Sequence, residues 1–283
     1  MISYSNVTKA YGEIVAVSGL NLEIRTGEFF GLLGPNGAGK TTIMRMTATL
    51  TPLTTGQITI DGQPISRNLV EVKQKIGVVP QYSNLEGELT ARENLEYHGR
   101  LYGLGRNERK QRIDELLEFS ELTERRNDPA KNFSGGMQRK LMIAKTLMHD
   151  PEILLLDEPT VGLDASTRRR IWDFLRQVKA KGLTIFLTTH YLEEAQMLCE
   201  RVGLIDEGRL VLADAPDKVI QSVGQFVLEY FVDGHTNQEF FMDKDTAIAA
   251  AQYVNGDIKV RETNLEDVFI KMTNKDLGVR NEI

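Results

Sequence analysis

Residues 34–42 read GPNGAGKTT, and this stretch decides the fold. It matches the pattern G-x-x-x-x-G-K-[ST], with the fixed positions filled by Gly34, Gly39, Lys40 and Thr41. The five residues before it, FFGLL, have the apolar character of a buried strand, and apolar side chains recur after it at helical spacing. A strand, a glycine loop and a helix N-terminus together predict a phosphate-binding loop that holds a nucleoside triphosphate.

Each part of this loop has a chemical task. Glycine lets backbone N–H groups approach phosphate oxygens closely. We expect the Lys40 ammonium to reach the β- and γ-phosphates and the Thr41 hydroxyl to bind Mg²⁺. The residues assigned to nucleotide binding in this loop are Gly34, Pro35, Asn36, Gly37, Ala38, Gly39, Lys40, Thr41 and Thr42.

The composition is that of an ordinary globular protein. The 283 residues are 41% hydrophobic and 26% charged. The net charge of -6 gives no electrostatic reason to expect nucleic acid as a partner. Cys199 is the only cysteine, so no internal disulfide can form and a reducing compartment is expected. No signal peptide and no apolar run of ~18 residues is visible, so we expect the chain not to span a bilayer itself.

Apolar patterning along the chain predicts an α/β fold. Residues 76–79, 153–156 and 183–188 are short, nearly continuous apolar runs, which are typical of parallel strands covered on both faces. Residues 3–25 alternate in the manner of an antiparallel strand pair, and residues 90–120 have a helical pattern.

The pattern also divides the chain into two predicted parts. Residues 1–215 would form the main domain, with an antiparallel β subdomain near its start and a helical subdomain at about 84–150. Residues 216–283 would form a small α+β appendage that contains a β-hairpin and a closing helix. Thr263 and Glu266 are three residues apart and are expected to form a capping box where that helix begins.

Polar residues follow three of the predicted strands. Asp157 and Glu158 end the run at 153–156, while Gln81 and His190 follow the other two. Open α/β sheets bind ligands at the carboxyl ends of their strands, so these side chains are expected to converge. Asp157 could hold Mg²⁺, and Glu158 could orient or deprotonate the attacking water. Taken singly, His190 also suits a helix cap and Gln81 an ordinary loop.

The order of all the motifs is more specific than any one of them. It runs Tyr11, GPNGAGKTT, Gln81, FSGGMQ at 133–138, ILLLDEP at 153–159, VGLD at 161–164 and His190. Over about residues 1–215 the chain therefore resembles the ATP-binding subunits of ABC transporters. The resemblance implies a P-loop NTPase fold of the ABC-ATPase type that binds ATP and Mg²⁺.

The resemblance also implies a role for each motif. Residues 34–42 would be the Walker A loop, and residues 153–157 the Walker B strand that ends in the metal-holding Asp157. Glu158 would be the catalytic base and His190 the switch histidine. Two further roles are implied outside these motifs: Gln81 would act in catalysis and as a metal ligand, and Tyr11 would stack on adenine.

The segment FSGGMQ matches the family signature LSGGQ, with Phe133 in place of leucine and Met137 before the glutamine. A helix capped by Ser134, with the N–H groups of two glycines at its start, would be a second anion site. The resemblance implies that two subunits meet head to tail and that the signature of one covers the γ-phosphate held by the other. The signature residues so assigned are Ser134, Gly135, Gly136 and Gln138, with Asp164 at the same interface.

Residues 263–269, TNLEDVF, resemble the closing helix of ABC ATPases that serve drug, antibiotic, lipo-oligosaccharide or polysaccharide exporters. The implied function is an ATP-hydrolysing subunit that drives conformational change in a separate membrane permease, for export. The implied partners are a second ATP-binding subunit in a homodimer and the permease, which would hold the subunit on the cytoplasmic, inner face of the cell membrane. Residues 84–94 would then receive a coupling helix.

Three other functions are compatible with parts of the sequence. A soluble ABC-type ATPase could act on ribosomes or DNA, although such relatives usually carry two such domains or long coiled coils. A regulatory module could bind nucleotide without turnover, although Glu158 and His190 are both present. A small-molecule kinase would share the phosphate-binding loop but would leave His190 and the signature unexplained.

Overall fold

The computed structural model describes residues 1–65, 70–232, 234–254 and 256–273. The strands in chain order are β1 (Ile2–Tyr11), β2 (Ile14–Ile24), β3 (Phe29–Leu33), β4 (Thr55–Ile60), β5 (Gln63–Pro64), β6 (Ile76–Val79), β7 (Ile153–Asp157), β8 (Thr184–Thr189), β9 (Arg201–Asp206), β10 (Arg209–Asp214), β11 (Phe226–Val232), β12 (His235–Phe241) and β13 (Asp257–Glu262). The helices are α1 (Lys40–Thr47), α2 (Val70–Gln74), α3 (Ala91–Leu101), α4 (Arg106–Phe119), α5 (Gly135–Thr146), α6 (Ala165–Ala180), α7 (Leu192–Leu198), α8 (Pro216–Gln221), α9 (Lys244–Ala251) and α10 (Leu265–Thr273).

A mostly parallel sheet with the strand order β10-β9-β3-β8-β7-β6 lies at the centre of the fold. Every residue of β3, β7 and β8 is buried, because protein covers both faces of the sheet. Only β10 pairs antiparallel with its neighbour, as the second strand of a hairpin. The nearly continuous apolar runs therefore predicted the parallel strands correctly.

Successive side chains of each central strand point to opposite faces and enter two separate cores. Phe29 and Leu33 of β3 join a core formed with the helices α3 to α7. Phe30 and Leu32, the residues between them, join a core formed with α1 and a second, antiparallel sheet. That sheet has the order β2-β1-β4-β5 and is the predicted antiparallel subdomain. The predicted α/β fold is confirmed.

The helical pattern at 90–120 folds as two helices, α3 and α4, rather than one. The chain turns between them at Gly103, whose φ of 76° lies in the left-handed region that glycine adopts without strain. α3 begins with a capping box in which the Thr90 side chain accepts the N–H of Glu93 and the Glu93 carboxylate accepts the N–H of Thr90.

Residues beyond α8 form a third sheet, with the antiparallel order β12-β11-β13. The hairpin of β11 and β12 agrees with the prediction, although residue 233 of its turn lies outside the described residues. The strand β13 and the helix α9 were not predicted. Leu265, Val268 and Phe269 of α10 are fully buried in the same core as α5 to α7, so the closing helix is packed onto the main domain.

The predicted cap of α10 is wrong by one residue. The Asn264 side chain accepts the N–H groups of Glu266 and Asp267, at 2.9 and 3.1 Å, and Asp267 accepts the N–H of Asn264 at 2.9 Å. The capping pair is therefore Asn264 and Asp267. The reason is tertiary: Asp267 also binds Arg261 of β13 at 2.6 Å, which fixes where the helix begins.

His98 of α3, Tyr102 and His149 form a partly buried stack beside Ile76. The Tyr102 and His149 rings are 3.8 Å apart and nearly parallel, and the His98 ring lies 5.6 Å from that of His149. Burial lowers the pKa of His98 to about 4, and the charges of His149 and Lys145 act in the same direction. The proton is therefore taken up by the unfolded chain at a higher pH than by the folded protein.

We expect this histidine to destabilise the protein in mild acid. Below pH 6.5 the unfolded chain binds a proton that folded His98 binds only near pH 4, so stability is lost as the pH falls between those values, by about 2 kcal/mol. Urea unfolding of the wild type and His98→Gln at pH 7 and 4.5 measures this loss. The glutamine variant should lose less, whereas His235→Gln, at an exposed position, should match the wild type. Equal losses in all three proteins would contradict the prediction.

Candidate active site

The carboxyl ends of four neighbouring strands meet at one edge of the central sheet. β3 ends beside β8, with Leu33 opposite Thr189, and β8 ends beside β7, with Thr188 opposite Asp157. On the far side of β7, β6 ends with Val79 opposite Leu156. This register places the phosphate-binding loop, His190, the Asp157–Glu158 pair and Gln81 along the same edge.

The phosphate-binding loop needs glycine at two positions for steric reasons. At Gly39, φ is 104° and a β-carbon would lie 2.5 Å from the carbonyl oxygen of Ala16. At Gly34, a β-carbon would lie 2.3 Å from the carbonyl oxygen of Ile205. Both contacts are with backbone, which cannot move aside, so side chains are excluded where the loop bends toward the start of α1.

Lys40 is buried at the start of α1 and is held by this loop. Its ammonium donates to the carbonyl oxygens of Gly34 and Pro35, at 2.8 and 3.0 Å, and lies 3.7 Å from the Glu158 carboxylate. Burial lowers the pKa of Lys40, while the negative charges of Glu158 and Asp157 oppose that shift. The side chain thus points into the space beside the strand ends.

Asp157 ends β7 and binds two hydroxyl groups. Its Oδ1 accepts the Thr188 hydroxyl at 2.5 Å and the Thr41 hydroxyl at 3.3 Å. Burial raises the pKa of Asp157, and the Thr188 hydrogen bond acts in the opposite direction. A carboxylate next to a threonine hydroxyl provides the hard oxygen ligands that Mg²⁺ prefers, so these residues fit that ion.

Glu158 lies at the meeting point of the polar groups. Its Oε2 is 3.1 Å from Nδ1 of His190 and 3.5 Å from the amide nitrogen of Gln81. Burial raises the pKa of Glu158, but hydrogen bonding and charge from His190, together with Lys40, outweigh that effect and leave the pKa below its ordinary value. The carboxylate is therefore charged at neutral pH.

The backbone of Glu158 is strained. Its φ is 47°, in a region that residues other than glycine seldom adopt, and such a conformation costs about 1–3 kcal/mol. The hydrogen bond from its N–H to the carbonyl oxygen of Thr188, at 3.0 Å, holds it there. This turn directs the Asp157 and Glu158 side chains to different partners.

A cavity of about 480 Å³ opens over these groups. The predicted residues that line it are Asn36, Gly37, Gly39, Lys40, Thr41, Thr42, Gln81, Glu158 and His190. Ala16 and Val161 also line it, although neither was assigned to nucleotide binding. Glycine N–H groups, one ammonium and one carboxylate–imidazole pair thus face one space, which is suited to a triphosphate and an attacking water.

The predicted signature residues do not line this cavity. Ser134 caps α5 and accepts the N–H of Met137 at 3.3 Å. Ser134 and Gly136 line a different cavity, of about 190 Å³, that shares no residue with the first within the described ranges. The Gln138 amide donates to carbonyl oxygens of its own chain at Ala130 and Phe133, so it braces the loop before Ser134.

Other predicted residues do not line the cavity beside Lys40: Gly34, Pro35 and Ala38 of the phosphate-binding loop, Asp157, Tyr11 and Asp164. Tyr11, at the end of β1, is 48% exposed, and the Lys9 ammonium lies 4.6 Å from the centre of its ring. Asp164 caps α6 by accepting the N–H groups of Ser166 and Thr167, at 3.0 and 2.9 Å. Hydrogen bonds from the Thr167 and Ser166 side chains hold the pKa of Asp164 well below its usual range.

Sequence reasoning missed two residues that organise the site. Thr188 binds both Asp157 and the backbone of Glu158. Arg139 of α5 is buried and donates to the carbonyl oxygens of Pro80 and Gln81, each at 2.9 Å, which links the signature helix to the loop that carries Gln81. The sequence around Thr188 does not indicate its role. For Arg139 the only indication is its position directly after Gln138 of the signature.

Comparison with known proteins gives the family. Residues 17–161, half of the chain, match the family model described as ABC transporter. The chain belongs to the ABC transporter family. It is 42% identical to the linearmycin resistance ATP-binding protein LnrL of Bacillus subtilis (strain 168), over 94% of this chain and 84% of that protein. It is 38% identical to the Nod factor export ATP-binding protein I of Cupriavidus metallidurans, over 98% of each.

Solved ATP-binding cassettes share the fold. A dimeric cassette in a post-hydrolysis state, bound to ADP and Pi, is 33% identical, with a TM-score of 0.68 over 76% of this chain and 98% of that one. The cbiO1 protein of Clostridium perfringens, part of the ABC transporter complex cbiONQ, is 27% identical, with a TM-score of 0.73 over 77% and 89% of the two chains. This ABC protein is an ATP-binding, ATP-hydrolysing subunit of a transporter.

Proposed function

We propose that two copies of this ABC subunit enclose ATP between them and hydrolyse it to move a separate membrane permease. The observation that carries this proposal is the separation of the two helix starts that are predicted to bind phosphate, those of α1 and α5. Lys40, at the start of α1, lines one cavity with Glu158 and His190, while Ser134, at the start of α5, lines another. A second subunit, placed head to tail, would bring its own signature helix to the triphosphate.

The proposed chemistry uses residues that already contact each other. Lys40 would bind the β- and γ-phosphate oxygens and neutralise their charge. Glu158, charged and 3.1 Å from His190, would accept the proton of the attacking water, and His190 would orient that carboxylate. Gln81, held by Arg139 at its backbone, would lie beside the water. Tyr11 would contact the adenine.

Thr41 and Asp157 would hold Mg²⁺, with Gln81 as a further ligand. Their oxygens are hard donors, and the Thr41 hydroxyl and the Asp157 carboxylate are 3.3 Å apart. When bound, the ion would neutralise charge that develops on the phosphates. Thr188 fixes one Asp157 oxygen, which leaves the other for the ion or its water ligands.

The direction of transport is proposed to be export. The two relatives named above are a resistance protein and an export protein, and they align with 94% or more of this chain, including its C-terminal part. The described residues include no helix with the length and apolar composition of a membrane span. The transport path is proposed to lie in a separate permease. Affinity purification from detergent-solubilised membranes should recover that permease. Recovery of ribosomal or DNA-bound partners instead would favour the soluble ATPase.

Mixing two inactive variants tests the shared site. Lys40→Ala removes the phosphate ligand, and Gly135→Asp places a carboxylate where the signature would meet the γ-phosphate. A β-carbon at this position would lie 3.1 Å from Cδ2 of Leu163, a side-chain atom that must shift slightly, and an acidic residue in the first turn of α5 interacts favourably with the helix dipole. Each variant alone should be inactive. In a mixed dimer one of the two sites has both an intact lysine and an intact signature.

The mixture should therefore regain about a quarter of the wild-type ATPase activity, since half of the dimers are mixed and each has one intact site. Wild type mixed with either variant provides the reference for subunit exchange. If the two variants together hydrolyse no more ATP than they do separately, while exchange is demonstrated, the shared site is wrong.

A further inference from the structure

Glu194 is a fully buried carboxylate on α7, four residues after His190. Its Oε1 accepts two hydrogen bonds, from the Thr160 hydroxyl at 2.8 Å and from the indole N–H of Trp172 at 3.0 Å. Both donors are themselves buried. Burying a carboxylate costs desolvation free energy unless hydrogen bonds compensate for it. The groups that donate those hydrogen bonds therefore indicate the role of the carboxylate.

The two donors belong to segments that lie close to Glu158 and His190 in the structure. Thr160 lies two residues after Glu158, in the turn that leaves β7. Trp172 lies in the middle of α6, the helix that Asp164 caps. Glu194 therefore joins three segments at one point: the segment after Glu158, the helix α6 and the helix after His190.

A second contact bears on the same place. The centre of the Tyr191 ring is 4.2 Å from that of the His190 ring and 4.1 Å from the Arg168 guanidinium of α6. The chain that follows His190 is thus held against α6 at two residues, Tyr191 and, on α7, Glu194. His190 directly precedes these two anchored residues and lies 3.1 Å from Glu158.

We propose that Glu194 is a positioning residue for ATP hydrolysis, which ties α7 to Thr160 and Trp172 and so holds His190 at hydrogen-bonding distance from Glu158. This inference rests on the proposed function, because it assigns the hydrolytic step to Glu158 and His190. Glu194 does not line the nucleotide cavity, and its contribution is made through His190. The phosphate-binding loop is not among its hydrogen-bond partners, so nucleotide affinity should not depend on it.

The experiment separates binding from turnover in the full-length chain. Glu194→Ala removes both hydrogen bonds and should lower kcat about 10- to 100-fold, the range expected when a catalytic group is misplaced by an ångström. The Kd for ATP, measured by titration, should change by less than about twofold, because no contact to phosphate is lost. Glu194→Gln keeps an oxygen acceptor in the same place and should retain kcat within about threefold of the wild type.

Two further variants guard against a general loss of structure. Thr160→Val removes one donor while keeping the shape of the side chain, and should lower kcat about three- to tenfold. Leu198→Ala shortens a buried apolar side chain on the same helix and keeps both hydrogen bonds to Glu194, so it should lower the melting temperature but leave kcat unchanged below it.

Glu158→Gln and His190→Ala, assayed alongside, distinguish the two ideas. If both abolish turnover but Glu194→Ala and Thr160→Val do not lower kcat, the positioning role is overturned and the proposed function stands. Equal losses in Glu194→Ala and Glu194→Gln, or a parallel loss of ATP affinity, would also overturn it. If Glu158→Gln and His190→Ala hydrolyse ATP normally, the proposed function itself fails.

Discussion

Glu158→Gln should lower kcat for ATP hydrolysis by at least about 100-fold, the usual contribution of a general base. The reason is that the amide cannot take a proton from water, whereas the Glu158 carboxylate is charged at neutral pH and is already 3.1 Å from His190. The phosphate-binding loop is untouched, so ATP should still bind. Hydrolysis would no longer separate the subunits, and ATP-bound dimers should accumulate.

Two measurements check this prediction. Steady-state phosphate release gives kcat, and size-exclusion chromatography with light scattering gives the dimer fraction with and without ATP. Glu152→Gln is the matched control, since it makes the same substitution at an exposed carboxylate that pairs with Lys75. Normal turnover in Glu158→Gln would show that another group is the base. If turnover is lost but no ATP-bound dimers accumulate, the assignment of Glu158 as the base is supported, whereas the ATP site shared between two subunits is contradicted.

Lys40→Ala should raise the Kd for ATP by about 100-fold or more, since truncating one partner of a buried charge pair costs about 2–5 kcal/mol and 2.8 kcal/mol is a factor of 100. The ammonium is buried and is already held by Gly34 and Pro35, so little side-chain entropy remains to be lost on binding. Without the Lys40 ammonium, the negative charge of the bound ATP phosphates would lose the cation predicted to neutralise it.

Calorimetric titration with ATP measures this effect. Lys75→Ala, at a partly exposed lysine on the protein surface, is the control and should bind as the wild type does. The melting temperature of Lys40→Ala should also be recorded, because the variant leaves Asp157 and Glu158 without their neighbouring positive charge. A Kd close to that of the wild type, in a folded variant, would contradict the role given to Lys40.

Much of the fold could be predicted because its signals are local. Each apolar run is directly followed by its own functional residues: β3 by the glycine loop, β7 by Glu158 and β8 by His190. A parallel sheet buries both faces, so its strands are apolar throughout and are recognisable without knowledge of their neighbours. The motif order then indicated the family, which the comparisons confirm.

Features that depend on packing were missed or displaced. The strand β13 depends on its pairing with β11, and Asp267 of the α10 cap also accepts a hydrogen bond from Gln238 of β12, 29 residues earlier in the chain. The break between α3 and α4 has a local signal, Gly103, which the helical pattern alone did not include. The assignment of Gln138 to the nucleotide stays a prediction, and within one subunit its amide donates to the carbonyl oxygens of Ala130 and Phe133. The division at residue 215 remains a prediction, and the packing of α10 shows that the C-terminal part shares the core of the main domain.

The sequence by itself determined the chemistry of this protein, because backbone N–H groups, an ammonium and carboxylates at fixed spacing are sufficient to specify a triphosphate site. Only the tertiary structure decided how that site is held in place. The bonds of Thr188 to Asp157, of Arg139 to the backbone of Gln81 and of Glu194 to Trp172 span 22 to 58 residues of chain. The physical reason is that a hydrogen bond between two elements depends on their distance in space, and packing of the whole sheet and its helices sets that distance.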